Sequence, residues 1–335
     1  MRDQEGFQQY NHWYRGNLHC HSTLSDGHMT PEEVIRYHKD NGYDFLCLSD
    51  HDRYADFRAD YDTDSFIMLP GMEYSAILYS EDGKRRFKMH HMHAILGTEE
   101  MQRKAAKPPF SHLEHVQPVE KFGGWDGAEV AQQLSDMMRE RGMLVTYNHP
   151  VWSRVTEEEF VHTTGLWALE IYNYDTDIEC ALGTDTVHWD NMLRRGKHIW
   201  GFASDDNHNN PKMPDSFGGW IMVNAPELTH EAILSNMISG NFYATGGPQI
   251  TAFGVKNDKV YVDCSPVQRV NFIVGNEIGD GATIGCGQFQ PGCRPHENTL
   301  THAELPLKGR EDYVRIECVD QWGATAWTNP LYLKD

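Results

Sequence analysis

Basic residues are scarce in this chain: 29 Lys and Arg stand against 49 Asp and Glu, a formal net charge of −20. So acidic a balance excludes a broad basic grip on nucleic acid or on anionic membranes, and nucleic acid is not an expected partner. It leaves room for a small phosphorylated substrate, because bound metal ions reverse the local sign of a site. Long apolar runs are also missing, and none approaches the roughly 18 residues that a membrane-spanning helix needs. The opening MRDQEGFQQYNHWYRG is polar and lacks the apolar core of a signal peptide, so a soluble, cytoplasmic protein is expected. Among the seven cysteines there is no Cys-x-x-Cys pair, and the odd count suits a reducing compartment. Cys20 and Cys47 sit in apolar stretches and read as packing. Cys286 and Cys293 flank a Gly-rich loop at a spacing that fits no standard metal site.

Histidine, by contrast, is plentiful, and 19 of them are spread unevenly. The stretch Asn17 to Asp52, NLHCHSTLSDGHMTPEEVIRYHKDNGYDFLCLSDHD, gathers His19, His21, Asp26 and His51 into one strand–helix–strand span. On an alternating strand His19 and His21 share a face, with Leu18 and Cys20 on the other. Ser25-Asp26-Gly27 is turn chemistry that brings a carboxylate back over the strand end. Thr30, Pro31 and Glu33 spell a capped helix start, and Gly42 a helix stop. Tyr43 to Leu48 then reads as a buried strand ending in Ser49-Asp50-His51-Asp52.

The same unit recurs downstream. Phe66 to Pro70 is a strand running into Gly71-Met72-Glu73, and Met89 to Gly97 is another, with His91 and His93 on one face and His90 on the other. Residues 98 to about 124 read as an irregular excursion over the site, with His112 and His115 towards solvent. Asp126 to Arg141 is an amphipathic helix, Met143 to Tyr147 a strand ending in Asn148-His149-Pro150, and Leu166 to Ile171 a strand ending near Glu170 to Asn173. A helix follows over Asp185 to Arg195, then a strand over His198 to Ala203 that ends in Ser204-Asp205-Asp206-Asn207-His208. Strand and helix alternating about seven times predicts a parallel sheet closed into a TIM-like barrel, with the loops after the strands sharing one face. From about Gly246 the texture changes to short β-type runs between Gly, Asp and Asn turns, which predicts a small antiparallel β-sandwich. The expected domains are therefore a barrel over 1–244 and a sandwich over 245–335, the latter with a Gly-rich loop at Gly279 to Asn298.

Collected at the strand ends, the candidate ligands are His19, His21, Asp26, His51, Glu73, His91 or His93, His149, Asp206 and His208. Mixed imidazole and carboxylate donors without thiolate suit zinc, manganese or iron, and a set this size can hold about two to three divalent ions. Such ions lower the pKa of bound water and clamp the attacking and leaving oxygens of a displacement at phosphorus. Arg53, Asn148, Arg154 and Lys212 follow the motifs closely enough to be candidate phosphate contacts, and Trp152 and Tyr172 candidate stacking partners.

These residues carry a family resemblance. HCHSTLSDG, LSDHD, NHP and the triplet Asp206-Asn207-His208, together with Glu73, resemble the motifs of the PHP (polymerase and histidinol phosphatase) superfamily across most of residues 17 to 223. RGNLHCHSTLSDG, GMEYS and the tail AWTNPLYL look more like its stand-alone phosphoesterases, including those grouped with carbaryl hydrolases, than like a polymerase subunit. The resemblance implies an α/β fold, a distorted seven-stranded (β/α) barrel of PHP type followed by the C-terminal antiparallel β-sandwich, with a trinuclear metal centre. By that analogy His19, His21, Glu73 and Asp206 hold one ion, Glu73, His149 and His91 or His93 a second, and Asp26, His51 and His208 a third. Glu73 is the bridge, and Glu73, Asp206 and His208 are the expected catalytic residues. Of the paired alternatives His93 is favoured over His91, and Asp206 over Asp205, which with Asp50 and Asp52 is expected to orient ligand imidazoles.

The leading reading is a metal-dependent phosphoesterase that cleaves a small phosphorylated metabolite or nucleotide with a metal-bridging hydroxide. The alternatives are a metal-dependent hydrolase of carboxylic or carbamic esters or amides, and a non-catalytic binding module.

Overall fold

Short apolar segments set the frame. The structure, a computed structural model, describes residues 3–10, 12–275, 278, 280–285 and 300–334. Strands β1 (Trp13–Asn17), β2 (Phe45–Leu48) and β3 (Ile67–Tyr79) lie side by side and parallel. All four residues of β2 are buried, as expected of a strand covered on both faces. The helix between β1 and β2, α1 (Pro31–Asp40), starts with the predicted capping box, Thr30 and Glu33 each bonding the other's backbone N–H. It lays Val34 and Ile35 on Leu46 and Leu48 of β2.

The next strand departs from the parallel plan. β4 (Arg86–Leu96) pairs antiparallel with β3, Glu73 facing His93 and Ser75 facing His91 across the ladder. Only residues 80–85 separate the two strands, too few for the crossover a parallel pair requires, and Gly83 turns the chain at φ 70°. Helix α2 (Gly127–Arg139), capped by Asp126, buries Val130, Ala131, Leu134 and Met138 along one stripe. It leads to β5 (Met143–Tyr147), antiparallel to β4, and then β6 (Ala168–Asn173) and β7 (Trp200–Ser204) continue in parallel, with helix α3 (Thr186–Arg194) between them. The predicted excursion at 98–124 contains a helix, Glu99–Lys104, and two short strands, Glu114–His115 and Val119–Phe122; His112 and His115 are exposed.

The seven strands run in the order β7-β6-β5-β4-β3-β2-β1, and the expected barrel does not close. The reason is that β1 has spent both edges: one pairs with β2, the other antiparallel with β8 (Trp220–Asn224). At the strand ends the gap to β7 is crossed by Asp206 N–H to His19 O at 2.9 Å and His21 N–H to Asn207 O at 3.0 Å. The fold is thus mixed α/β around one large open sheet.

That sheet continues from β8, past helix α4 (His230–Ile238), into β9 (Phe242–Thr245) and the later strands Thr325–Thr328, Tyr313–Val319, Arg269–Val274 and Ala282–Gly285. The boundary expected at 244/245 falls inside β9. A second sheet, formed by Gln4–Glu5, Ile250–Lys256, Lys259–Val267 and Leu300–Pro306, faces it across a core that includes Phe253, Val262, Phe272, Ile316 and Cys318. Cys286, Cys293 and most of the Gly-rich segment at 279–298 lie outside the described residues. No described helix is long and apolar enough to cross a membrane.

Candidate metal centre

Each strand of the seven delivers its polar residues at one end of the sheet. His19 and His21 lie just past β1, which stops at Asn17, and their ring centroids are 5.1 Å apart. Glu73 sits within β3, His91 within β4, and His51, His149, Asp206 and His208 follow β2, β5 and β7. Asp52, His149 and Asp206 take left-handed backbones, at φ 55°, 26° and 54°. Non-glycine residues pay roughly 1–3 kcal/mol each for such conformations, which persist where the surroundings dictate them and cluster at functional sites.

Glu73 is the hub. Its Oε1 lies 3.2 Å from His19 Nε2 and 3.2 Å from His149 Nε2, and its Oε2 lies 3.0 Å from His51 Nδ1, 3.3 Å from His91 Nδ1 and 3.7 Å from His21 Nε2. Asn148 Nδ2 donates to Oε1 at 2.8 Å and fixes the rotation of the carboxylate. Asp206 forms a second hub, with Oδ1 at 3.0 Å from His19 Nε2 and 2.9 Å from His21 Nε2, and Oδ2 3.7 Å from His149 Nε2. Nearer solvent, Asp26 stands 3.6 Å from His51 Nε2 and 3.5 Å from His208 Nε2.

The far side of several rings is tied down, so the near side must face inward. His19 Nδ1–H donates to Glu170 Oε1 at 2.9 Å, His149 Nδ1 bonds Ser153 Oγ at 3.1 Å, and His208 Nδ1–H donates to the carbonyl of Asp206 at 2.9 Å. Glu170 is itself held by Ser204 Oγ, by Asn173 Nδ2 at 2.9 Å and by His149 N–H at 3.1 Å. This is the outer ring of support that metal-ligating imidazoles require.

The donor set fits divalent cations. His19 Nε2, His21 Nδ1, His51 Nδ1, His91 Nδ1 and Glu73 Oε2 are buried and make no hydrogen bond. Orphaned buried polar atoms are costly, and these five belong to residues gathered around the Glu73 carboxylate. Groups with metal-ligand proximity are His19, His21, Glu73 and Asp206; His51, Glu73 and His91; and His21, Asp26, His51 and His208. Without a cation, protons do part of the balancing. Burial pulls His149 down, yet Glu73, Glu170 and Asp206 carry it up to about 9. Burial likewise lowers His208, but Asp26, Asp206 and Asp175 raise it to about 10. Burial pushes Glu73 up, and the charges of His19 and His91 more than reverse this, leaving it well below the usual carboxylate range.

No family model matches the chain, and no curated protein matches it. Among solved structures it is similar to a two-domain protein containing a predicted PHP-like metal-dependent phosphoesterase from Bacteroides vulgatus, at 14% identity and a TM-score of 0.46, over 99% of this chain and 97% of that one. It is also similar to a candidate metal-dependent phosphoesterase from Bifidobacterium adolescentis, at 14% identity and a TM-score of 0.35, over 58% of this chain and 89% of that one.

Of the residues singled out from sequence, His19, His21, Asp26, His51, Glu73, His149, Asp206 and His208 come together. His93 packs against His19, ring centroids 4.3 Å apart, with neither ring nitrogen bonded, whereas its alternative His91 brings Nδ1 to 3.3 Å from Glu73 Oε2. Asp50 and Asp52 hold backbone rather than imidazoles, Asp50 accepting from Ser22 N–H at 2.8 Å and Asp52 from Ser75 N–H at 2.8 Å. Asp205 clamps the Phe217, Gly218 and Gly219 N–H groups at 2.9, 2.8 and 2.9 Å. A cleft of about 470 Å³ opens over the centre, and its lining includes Trp152 but not Arg53, Arg154, Lys212 or Tyr172. Arg53 instead lies in a short strand paired with Glu114–His115, and Tyr172 stacks on Trp327. Sequence reasoning passed over Glu170, Asp175, Asp215 and Arg86. Glu170 lies inside a strand, Asp175 in the first turn of a short helix, Asp215 in a loop and Arg86 at a strand start, where no spacing marks them.

Proposed function

We propose that the chain is a metal-dependent hydrolase that cleaves phosphate esters of small molecules at a centre of about two to three divalent ions, zinc, manganese or iron. The observation that carries this reading is the carboxylate of Glu73, buried, with nitrogens of His19, His21, His51, His91 and His149 all within 3.7 Å. The motif resemblance supports phosphorus as the centre attacked. Glu73 would bridge ions, with His19, His21 and Asp206 on one side, His91 and His149 on another, and Asp26, His51 and His208 nearer the mouth.

Divalent ions held there would supply a water of lowered pKa and neutralise charge on the phosphate. The chain's own contribution is orientation. Asn148 sets the plane of the Glu73 carboxylate, Glu170 and Ser153 aim Nε2 of His19 and His149 inward, and the Asp206 carbonyl aims His208 Nε2 at Asp26. Trp152, its ring 5.1 Å from that of His149, forms part of the cleft wall. The chemistry belongs to residues 1–244, with 245–335 as an accessory unit.

The test is phosphate release from a panel of phosphomonoesters by the metal-loaded protein, beside a panel of carboxylic and carbamic esters and amides, for wild type and His149→Ala. Phosphate release that the substitution abolishes is expected. Turnover of the second panel alone would move the reading to ester or amide hydrolysis, and metal binding without turnover of either would leave a binding module.

A further inference from the structure

The cleft above Glu73 has a graded wall. In the β3–β4 ladder Ser75 faces His91, Ile77 faces Met89 and, past an irregularity at Leu78/Tyr79, Tyr79 faces Arg86. Alternation along a strand puts Glu73, Ser75 and Ile77 on one face of β3 and His91 and Met89 on the matching face of β4. The extra residue at the bulge shifts the alternation, which brings Arg86 to that face. Ser75, Ile77, Met89, His91 and Arg86 all line the cleft. From the floor outwards the wall therefore reads metal-ligating, hydroxyl, apolar and then cationic.

Arg86 is the one Lys or Arg among the described residues lining this cleft. It is exposed, and among the described residues its guanidinium makes neither a hydrogen bond nor an ion pair. Three carboxylates of the same cleft are engaged elsewhere: Asp52 with Ser75 N–H at 2.8 Å, Asp215 with His208 N–H at 2.9 Å and Glu179 with Trp152 Nε1–H at 3.4 Å. A forked, permanently charged donor free at the end of an apolar stretch matches a carboxylate or a phosphate. At about 3.4 Å per residue, the five residues from His91 to Arg86 span roughly 17 Å of strand, part of which the long Arg side chain can recover.

We infer that Arg86 receives a second anionic group of the substrate, so that the preferred substrate is a phosphate ester whose alcohol portion carries an apolar body ending in a carboxylate or a second phosphate. This rests on the reading of the centre as a phosphoesterase. Ile77 and Met89 take the apolar body, and the distal anion selects among phosphate esters by length.

The test uses the manganese-loaded protein and calorimetry with a straight-chain alkylphosphonate, the ω-carboxyalkylphosphonate of the same length and the α,ω-bisphosphonate. The ligands carrying a distal anion should bind about tenfold tighter than the plain phosphonate, as one charge-assisted pair allows. Arg86→Ala should bring that ratio towards one, and Arg86→Lys should keep part of it, with thermal melts showing that both variants are folded. The carboxylate and bisphosphonate arms tell which anion is preferred. Equal affinities in wild type, or a preference that survives in Arg86→Ala, would overturn the inference. Binding of the expected pattern without phosphate release from the matching esters would count against the phosphoesterase reading alone, and failure of all three ligands to bind would overturn both.

Discussion

His19 Nδ1 and Glu170 Oε1 meet at 2.9 Å with neither side chain open to solvent. The pair joins a ligand-type imidazole to a carboxylate that also grips Ser204, Asn173 and the backbone of His149, so one buried group holds His19 and His149, which follow two different strands. Glu170→Gln keeps the shape and removes the charge. It should lower metal affinity about 10–100-fold while the fold persists, as read by competitive chelator titration beside a thermal melt. An unchanged affinity would show that Glu170 is only packing.

The two histidines on one face of β4 should behave in opposite ways. His91→Leu removes a nitrogen 3.3 Å from Glu73 and should lower metal content. His93→Leu removes a buried ring with no bonded nitrogen and should keep the metal, with a Tm equal to or above wild type, because an unsatisfied buried polar group costs about 1–3 kcal/mol. Metal lost from the His93 variant and kept by the His91 variant would reverse the assignment.

The choice between His91 and His93 shows where sequence stops being sufficient. Strand parity separates His90 from the other two but cannot divide residues on one face; the division comes from the antiparallel register, which seats His93 opposite Glu73 and behind His19. The His-x-His pair is legible because its spacing survives even though the strand ends at Asn17, and the helix at Pro31 is legible because its cap is local. The open sheet was not legible. Whether β1 offers its second edge to β7 or to β8 depends on a partner some 200 residues away, for which no local pattern exists. Glu170 and Arg86 carry no motif, and only the three-dimensional ladder brings them to the centre and to its cleft.

Proton release should accompany metal uptake. The folded, metal-free pKa values of His149 and His208, about 9 and about 10, lie above the ordinary value of about 6.5. Groups raised in this way stabilise the metal-free fold fully below about pH 6.5, and that contribution is lost as pH rises through 9 and 10. Asp52, Asp175 and Asp205, each raised to about 7 by burial, exert their pH effect below that window. The metal-free protein should therefore lose stability between about pH 7.5 and 10, while metal affinity rises over the same range because ligand imidazoles must be neutral. Denaturant midpoints with and without chelator, and calorimetry in buffers of different ionisation enthalpy, check both halves. A flat metal-free profile above pH 7.5 would contradict the assignment.

The most direct measurement is the metal content of wild type and Glu73→Gln by elemental analysis after reconstitution with zinc, manganese or iron. If Glu73 is the hub that its five imidazole neighbours suggest, wild type retains about two to three equivalents and the variant, still folded, retains fewer. A wild-type protein that binds no metal, or a variant that keeps the full complement, would contradict the account at its centre.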